Sequence, residues 1–207
     1  MYLAFFPNFF IKHVIISCTC MSDKEYLRSR LLVERKSLSI DEVNNKSKII
    51  QKKLEEYPLF QKSGNILFYV SYGHEVFTHD LIKKSLQTKK NVLVPRSNTK
   101  TFMIDPIAVN NWTDLVNGAY GILEPTKENN HIYHNIDLII IPGIGFDIQG
   151  NRLGHGKGYY DRLIEKNPKA ALIALAYDFQ IVNSIPTRSH DKPVDIIISE
   201  KQTIICK

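Results

Sequence analysis

Apolar positions along the first half of the chain recur at the helical period. Leu27, Leu31 and Leu38, then Val43, Ile49, Ile50 and Leu54, predict helical structure over residues 23–57. Ser39 followed by Glu42 has the form of a capping box, so a second helix is expected to start near Ile40, and Pro58 is read as its close. The period then changes. Asn65-Ile-Leu-Phe-Tyr-Val70 is a short continuous apolar run, read as a buried strand. Thr78 is placed to cap a helix through Leu81, Ile82 and Leu86, ended by Lys89-Lys90, and Asn91-Val-Leu-Val94 is a strand before Pro95. That order is a β-α-β unit and implies parallel pairing. Residues 101–107 and 110–121 are expected to hold a strand and loops. Ile136–Ile141 is a further buried strand. A glycine-rich loop follows, then a helix from about Tyr159 to Lys166, stopped by Asn167-Pro168. Ala171–Ala176 and Val194–Ile198 read as the last two strands. Apolar strands alternating with helices predict a three-layer α/β/α fold with a mostly parallel central sheet, preceded by N-terminal helices. No internal repeat is visible.

Residues 1–20, MYLAFFPNFFIKHVIISCTC, break the pattern. They are apolar, but Pro7, Asn8 and Lys12 interrupt them, and no basic segment precedes them as in a signal peptide. They are also too broken for a spanning helix, which needs about 20 mostly apolar residues. The reading is an atypical extension ahead of a start at Met21, with residues 21–207 forming one domain. Hydrophobic residues make up 43% of the 207, with ten Tyr and ten Phe, enough bulk for a core, so a folded domain is expected. Cys18, Cys20 and Cys206 form no CxxC pair and no ligand cluster. Neither a disulfide framework nor a zinc site is supported, and a reducing cytoplasm is the expected setting.

The net charge of +6 and pI near 9.1 suit a polyanionic partner, either nucleic acid or a nucleotide. No stacking motif or long basic stripe argues for RNA. The glycines argue for the smaller anion. Six of the chain's ten glycines fall within residues 143–158, around NRLGHGKGYYDR at residues 151–162. Bare backbone lets N–H groups approach an oxyanion and curl around it. The helix starting near Tyr159 adds its positive end, and Arg152, Lys157 and His155 add charge or donors. This is not the usual P-loop, because Asn151 stands where its first glycine would be and Gly158 follows Lys157. Nor is it the dinucleotide fingerprint, since Tyr159 takes the third glycine position. Asp161, in the first helical turn, either favours the helix dipole or helps to hold Mg²⁺ beside phosphates.

Ile141-Pro-Gly-Ile-Gly-Phe-Asp147 followed by Gly150-Asn-Arg-Leu-Gly-His-Gly-Lys-Gly-Tyr-Tyr-Asp-Arg162 closely resembles the signature of the 5-formyltetrahydrofolate cyclo-ligases. Lys24-Glu-Tyr-Leu-Arg28 is similar to that family's N-terminal Lys-x-x-Leu-Arg, and Asp191 and Glu75 match further family positions. The resemblance implies a Rossmann-like fold of the NagB/RpiA/CoA-transferase kind. It also implies ATP- and Mg²⁺-dependent closure of 5-formyltetrahydrofolate to 5,10-methenyltetrahydrofolate through a phosphorylated formyl group.

By that resemblance Lys24, Glu25, Tyr26, Leu27, Arg28 and the run Arg152, Leu153, Gly154, His155, Gly156, Lys157, Gly158, Tyr159 and Tyr160 bind ATP. Lys157 and Arg152 act in catalysis. Val70, Glu75, Tyr120 and the run His155–Tyr159 face the folate, and Asp161 and Asp191 share the metal. Glu75 would hydrogen-bond the amino-pyrimidinone edge of the pterin, or else be a surface residue at a strand end. Tyr120 has a pterin role or a packing role. Of Tyr159 and Tyr160, one is expected to stack on a ligand and one to pack the helix. His74, His79, His131, His134 and His190 show no ligand spacing and are read as surface or loop residues. The expected partners are ATP and 5-formyltetrahydrofolate, with or without a polyglutamate tail, to a monomer that engages neither nucleic acid nor membrane. The rivals are a basic RNA-binding protein and a sugar-phosphate isomerase on the same scaffold, neither of which needs ATP with folate.

Overall fold

The computed structural model describes residues 22–118, 121–187 and 191–206; the readings on residues 1–21, Tyr120 and His190 lie outside them. Two capping boxes set the N-terminal helices. Ser22 and Glu25 exchange side-chain and backbone bonds ahead of α1 (Asp23–Ser37), as Ser39 and Glu42 do ahead of α2 (Ile40–Glu56). Pro58 does not end the helical region. It takes the first position of a short α3 (Pro58–Lys62), where its missing N–H costs nothing.

The β-α-β unit follows as β1 (Asn65–Leu67), α4 (His79–Leu86) and β2 (Asn91–Asn98), with β1 and β2 parallel and adjacent. β1 is shorter than the apolar run: Phe68 N still donates to Leu93 O, but Tyr69 O accepts from the Thr78 hydroxyl. Pro95 does not stop β2. It lies opposite Pro106 of β3 (Met103–Val109), where neither ring has an N–H to give the other strand. Thr78 precedes α4 without capping it. Its hydroxyl donates to Tyr69 O at 2.7 Å and accepts from Ser71 N at 3.1 Å, while Thr78 N donates to Ser71 Oγ, clasping the loop between them.

After the small hairpin β4 (Leu115–Asn117) and β5 (Leu123–Pro125) come β6 (Leu138–Ile141), β7 (Gly145–Asp147), β8 (Arg152–Leu153), α5 (Tyr159–Lys166) and β9 (Ala171–Leu175). β10 (Ile181–Val182), β11 (Ile196–Ile198) and β12 (Thr203–Ile205) complete the chain. The main sheet runs β12-β11-β9-β6-β1-β2-β3, parallel in its interior and antiparallel at both edges. The β12 edge has no counterpart in the sequence reading; it is three residues long and two of them are exposed.

Alternation along the strands divides the core. Ile66, Val92, Leu138, Ile140 and Ile173 pack with Ile50, Leu54, Phe60 and Leu81 of α2, α3 and α4. Leu67, Leu93, Ile139, Leu172 and Ala174 face Leu163 and Ile164 of α5. The three-layer α/β expectation therefore holds. No helix among the described residues is long and apolar enough to cross a membrane.

Candidate active site

The glycine-rich segment after β6 is not a plain loop. β7 and β8 form an antiparallel hairpin, and β10 joins β7 in parallel. Asp147 holds this hairpin from inside. It is fully buried, and its carboxylate accepts from the backbone N–H of Gln149, Asn151 and Ile185 and from the Asn151 amide, at 2.9–3.1 Å. Gln180, also buried, donates its amide to the carbonyls of Gly143 and Ile144, fixing the entry strand.

Helix α1 docks onto the outside of the hairpin. Leu31 is fully buried with Ile144, Leu153 and Ile185, and Leu27 packs against the same cluster. A Cβ on Gly145 would meet Leu31 Cδ1 at 2.6 Å, so glycine is what allows the helix this close. Docking in this way turns one helical face toward the site. Lys24, Arg28, Leu31 and Arg35 are spaced four, three and four apart, which places them in one stripe. Arg28 Nε donates to Gly154 O at 3.1 Å, joining residues 126 apart in sequence. Lys24 Nζ pairs with Asp191 Oδ2 at 2.8 Å.

Beyond the hairpin the glycine run leads into α5. Gly158 forms the N-terminal cap in the left-handed region, at φ 68°, so no side chain obstructs the amides of the first turn. Arg152 lies beneath this run, with its side chain only 8% exposed. Its Nη2 pairs with Asp161 Oδ1 at 2.7 Å, its guanidinium sits 5.7 Å from the centre of the Tyr160 ring, and its Nε is buried without a hydrogen-bond partner. His155 stands at the open side with its pKa pushed below the ordinary 6.5, first by loss of water and then by Arg35, Arg28, Arg152 and Lys157. Four cations around one imidazole leave it neutral near pH 7, a donor through one N–H and not a further charge.

The opposite wall is built by the loop after β1. Glu75 accepts from Tyr72 N at 3.1 Å and approaches Arg35 Nη1 at 3.8 Å. Burial raises its pKa, against the pull of Arg35 and the Tyr72 N–H. Tyr177, whose own pKa burial lifts to about 12, donates its hydroxyl to Glu75 O at 3.1 Å. A narrow cleft lies between Arg35, Tyr69, Glu75, Gly143 and Gln180.

Most of the sequence-predicted residues therefore converge. Lys24, Arg28, Arg152, Gly154, His155, Gly156, Lys157, Gly158, Asp161 and Asp191 border the hairpin, with Glu75 across the cleft. Val70 is buried at the end of the β1 run, 3% exposed. Leu27 and Leu153 point into the core, so only their backbones could face a ligand. Glu25 is engaged in the capping box, and Tyr26 is 64% exposed. Both Tyr159 and Tyr160 pack on the core, the former also edge-on against Phe102. His79 is not a plain surface residue: it packs on Trp112 and hydrogen-bonds Ser71 O. Arg35, Asp147, Tyr177 and Gln180 escaped the sequence reading. Arg35 had a signal, its place on the Lys24–Arg28 stripe; Tyr177 had none.

Asp161 and Asp191 are each held by a different cation. Among the described residues no three His, Cys, Asp or Glu side chains gather as a metal cage. Two hard carboxylates beside these cations are of the donor type that suits a Mg²⁺ ion.

The sequence profile described as the 5-formyltetrahydrofolate cyclo-ligase family matches residues 20–200. Among curated proteins, a probable 5-formyltetrahydrofolate cyclo-ligase of Caenorhabditis elegans is 33% identical over 197 residues, covering 88% of this chain and 95% of its own. The mouse 5-formyltetrahydrofolate cyclo-ligase is 30% identical, over 88% and 96%. Among solved structures, the Aquifex aeolicus 5,10-methenyltetrahydrofolate synthetase superposes with a TM-score of 0.79 at 32% identity, over 89% of this chain and 93% of that one. Matching in sequence and in fold across most of its length, the chain belongs to the 5-formyltetrahydrofolate cyclo-ligase family.

Proposed function

We propose that the protein uses ATP to close 5-formyltetrahydrofolate into 5,10-methenyltetrahydrofolate, releasing ADP and phosphate. The observation that carries this reading is the Arg28–Gly154 bond, which brings the two separate signature stretches together as one cationic cradle. Such a cradle suits phosphoryl transfer, where catalysis is mainly positioning and charge neutralisation.

Lys24 and Arg28 from α1, and Arg152 and Lys157 from the hairpin and its following loop, would surround the triphosphate. The buried Arg152 Nε supplies a donor that the protein leaves unused. Backbone N–H groups between Gly154 and Gly158 and the start of α5 supply the rest. Mg²⁺, when bound, would neutralise phosphate charge, with Asp161 and Asp191 as its carboxylates. Both are now paired with cations that phosphates would claim, so binding would exchange partners while conserving charge.

Glu75, across the cleft, would accept from the N–H groups of the pterin edge. Held between these two ends, the formyl oxygen attacks the γ-phosphorus and ADP leaves. The second folate nitrogen then attacks the formyl carbon and gives up its proton, inorganic phosphate departs with the former formyl oxygen, and a C–N bond has formed. Neutral His155 would donate to a phosphate oxygen without competing for a proton.

The test is purified protein with MgATP and 5-formyltetrahydrofolate, followed by the near-ultraviolet absorption of the methenyl product. Product should form only when both compounds are present, and Lys157→Ala should lose most turnover. Absence of product with active folate would defeat the reading.

A further inference from the structure

We infer that Arg35 is the positioning residue that holds Glu75 as a fixed, ionised acceptor for the folate; this rests on the cyclo-ligase reading of the site. Arg35 lies outside the Lys-x-x-Leu-Arg stretch, two turns further along α1, and its side chain and that of Glu75 are only 11% and 17% exposed. The contact is doubled through the backbone. Arg35 O meets His74 Nδ1 at 3.2 Å, so the loop bearing Glu75 is tied to the helix beside the ion pair.

A carboxylate in this place needs such help. It faces Arg35 from α1, the Tyr72 N–H from its own loop, Tyr69 from the end of β1, Tyr160 from α5 and Tyr177 from the segment after β9. Of these groups only Arg35 is a cation. Burial favours the protonated acid, which would turn one acceptor into a donor and mismatch the donor edge of an amino-pyrimidinone. Arg35 opposes this, so the acceptor is present above the folded pKa of Glu75 and lost as pH falls through it. The same guanidinium adds to the field at His155, placing Arg35 between the phosphate end and the folate end.

The experiment is the KM for 5-formyltetrahydrofolate between about pH 5.5 and 8, with saturating MgATP. In the wild type it rises at the acid end. Arg35→Met moves that rise to higher pH; a shift of about one pKa unit lifts KM by about tenfold at the acid end, where Glu75 is protonated in both, and by much less near neutrality. Arg35→Lys brings the profile back toward the wild type. In a Glu75→Gln background Arg35→Met adds little, because the group it acts through no longer titrates. A rise of the same factor at every pH, or the full effect persisting in Glu75→Gln, overturns the assignment. If Arg35→Met is too unstable to assay, Arg35→Lys decides: a profile near the wild type supports the role, and one shifted by about a full unit contradicts it. Wild-type turnover is measured first. No wild-type product defeats the functional reading, whereas normal turnover with an unmoved Arg35 profile defeats only this inference.

Discussion

Leu31→Ala separates the packing of α1 from its chemistry. Leu31 touches no proposed ligand, yet it is the buried contact between the helix carrying Lys24 and Arg28 and the hairpin carrying Gly154. The substitution removes three carbons from a fully buried site, worth about 0.8 kcal/mol each in transfer alone. The remaining cavity, against Gly145, Leu153 and Ile185, brings the loss to about 3–4 kcal/mol. For a chain of about 200 residues that lowers Tm by about 6–16 °C. The helix then loses its fixed seat, and the KM for ATP should rise about tenfold, the equivalent of about 1.4 kcal/mol. Leu31→Met, which conserves volume, should cost less than about 1.5 kcal/mol and leave KM unchanged. Thermal melts and initial rates at a temperature where the variant is still folded read both effects. A Tm that falls as calculated beside an unchanged KM for ATP would refute the claim that docking of α1 positions the cations.

Asp147→Ala strips the acceptor from three backbone N–H groups, that of Ile185 buried, and from one side-chain amide, so urea denaturation should show a loss of about 3 kcal/mol; a loss under about 1 kcal/mol would mean the hairpin does not depend on this carboxylate. Gly158→Ala forces a side chain into the left-handed region with its Cβ 3.0 Å from Arg162 Nη1. It should cost about 1–2 kcal/mol in thermal melts and raise the KM for ATP; an unchanged KM would remove the start of α5 from the phosphate site. His155 should titrate below 6.5 by NMR in the free protein and shift upward on addition of MgATP, as anionic phosphates offset the surrounding cations. Nucleotide binding should then take up protons as pH falls below the ordinary histidine value. A titration unmoved by nucleotide would place the phosphates elsewhere.

Where local chemistry governed, the sequence was legible. The Ser39–Glu42 capping box and the Tyr159–Lys166 helix stand where their residues indicated, and the β-α-β unit pairs in parallel. Differences arose where a tertiary partner overrode a local rule. Thr78 has the composition of a cap but serves Tyr69 and Ser71 across the loop, and Pro95 stays in its strand because its partner is also proline. The glycine segment read as a loop because two of the contacts that hold the hairpin, the Ile185 N–H on Asp147 and the pairing of β10 with β7, come from far along the chain. In the site, the gathering of glycines and cations was readable from short motifs. Glu75 was named by the family resemblance, but its surroundings were not legible, since Arg35, Tyr177 and Gln180 come to that cleft from three separate segments.

The most direct test is a crystal structure of the protein with a non-hydrolysable MgATP analogue and 5-formyltetrahydrofolate. The triphosphate should lie between the Lys24–Arg28 face of α1 and the amides of residues 154–158, with Arg152 and Lys24 turned from their carboxylates to phosphate and the pterin edge on Glu75. Phosphates bound away from the glycine hairpin, with the Lys24–Asp191 and Arg152–Asp161 pairs intact, would contradict the account.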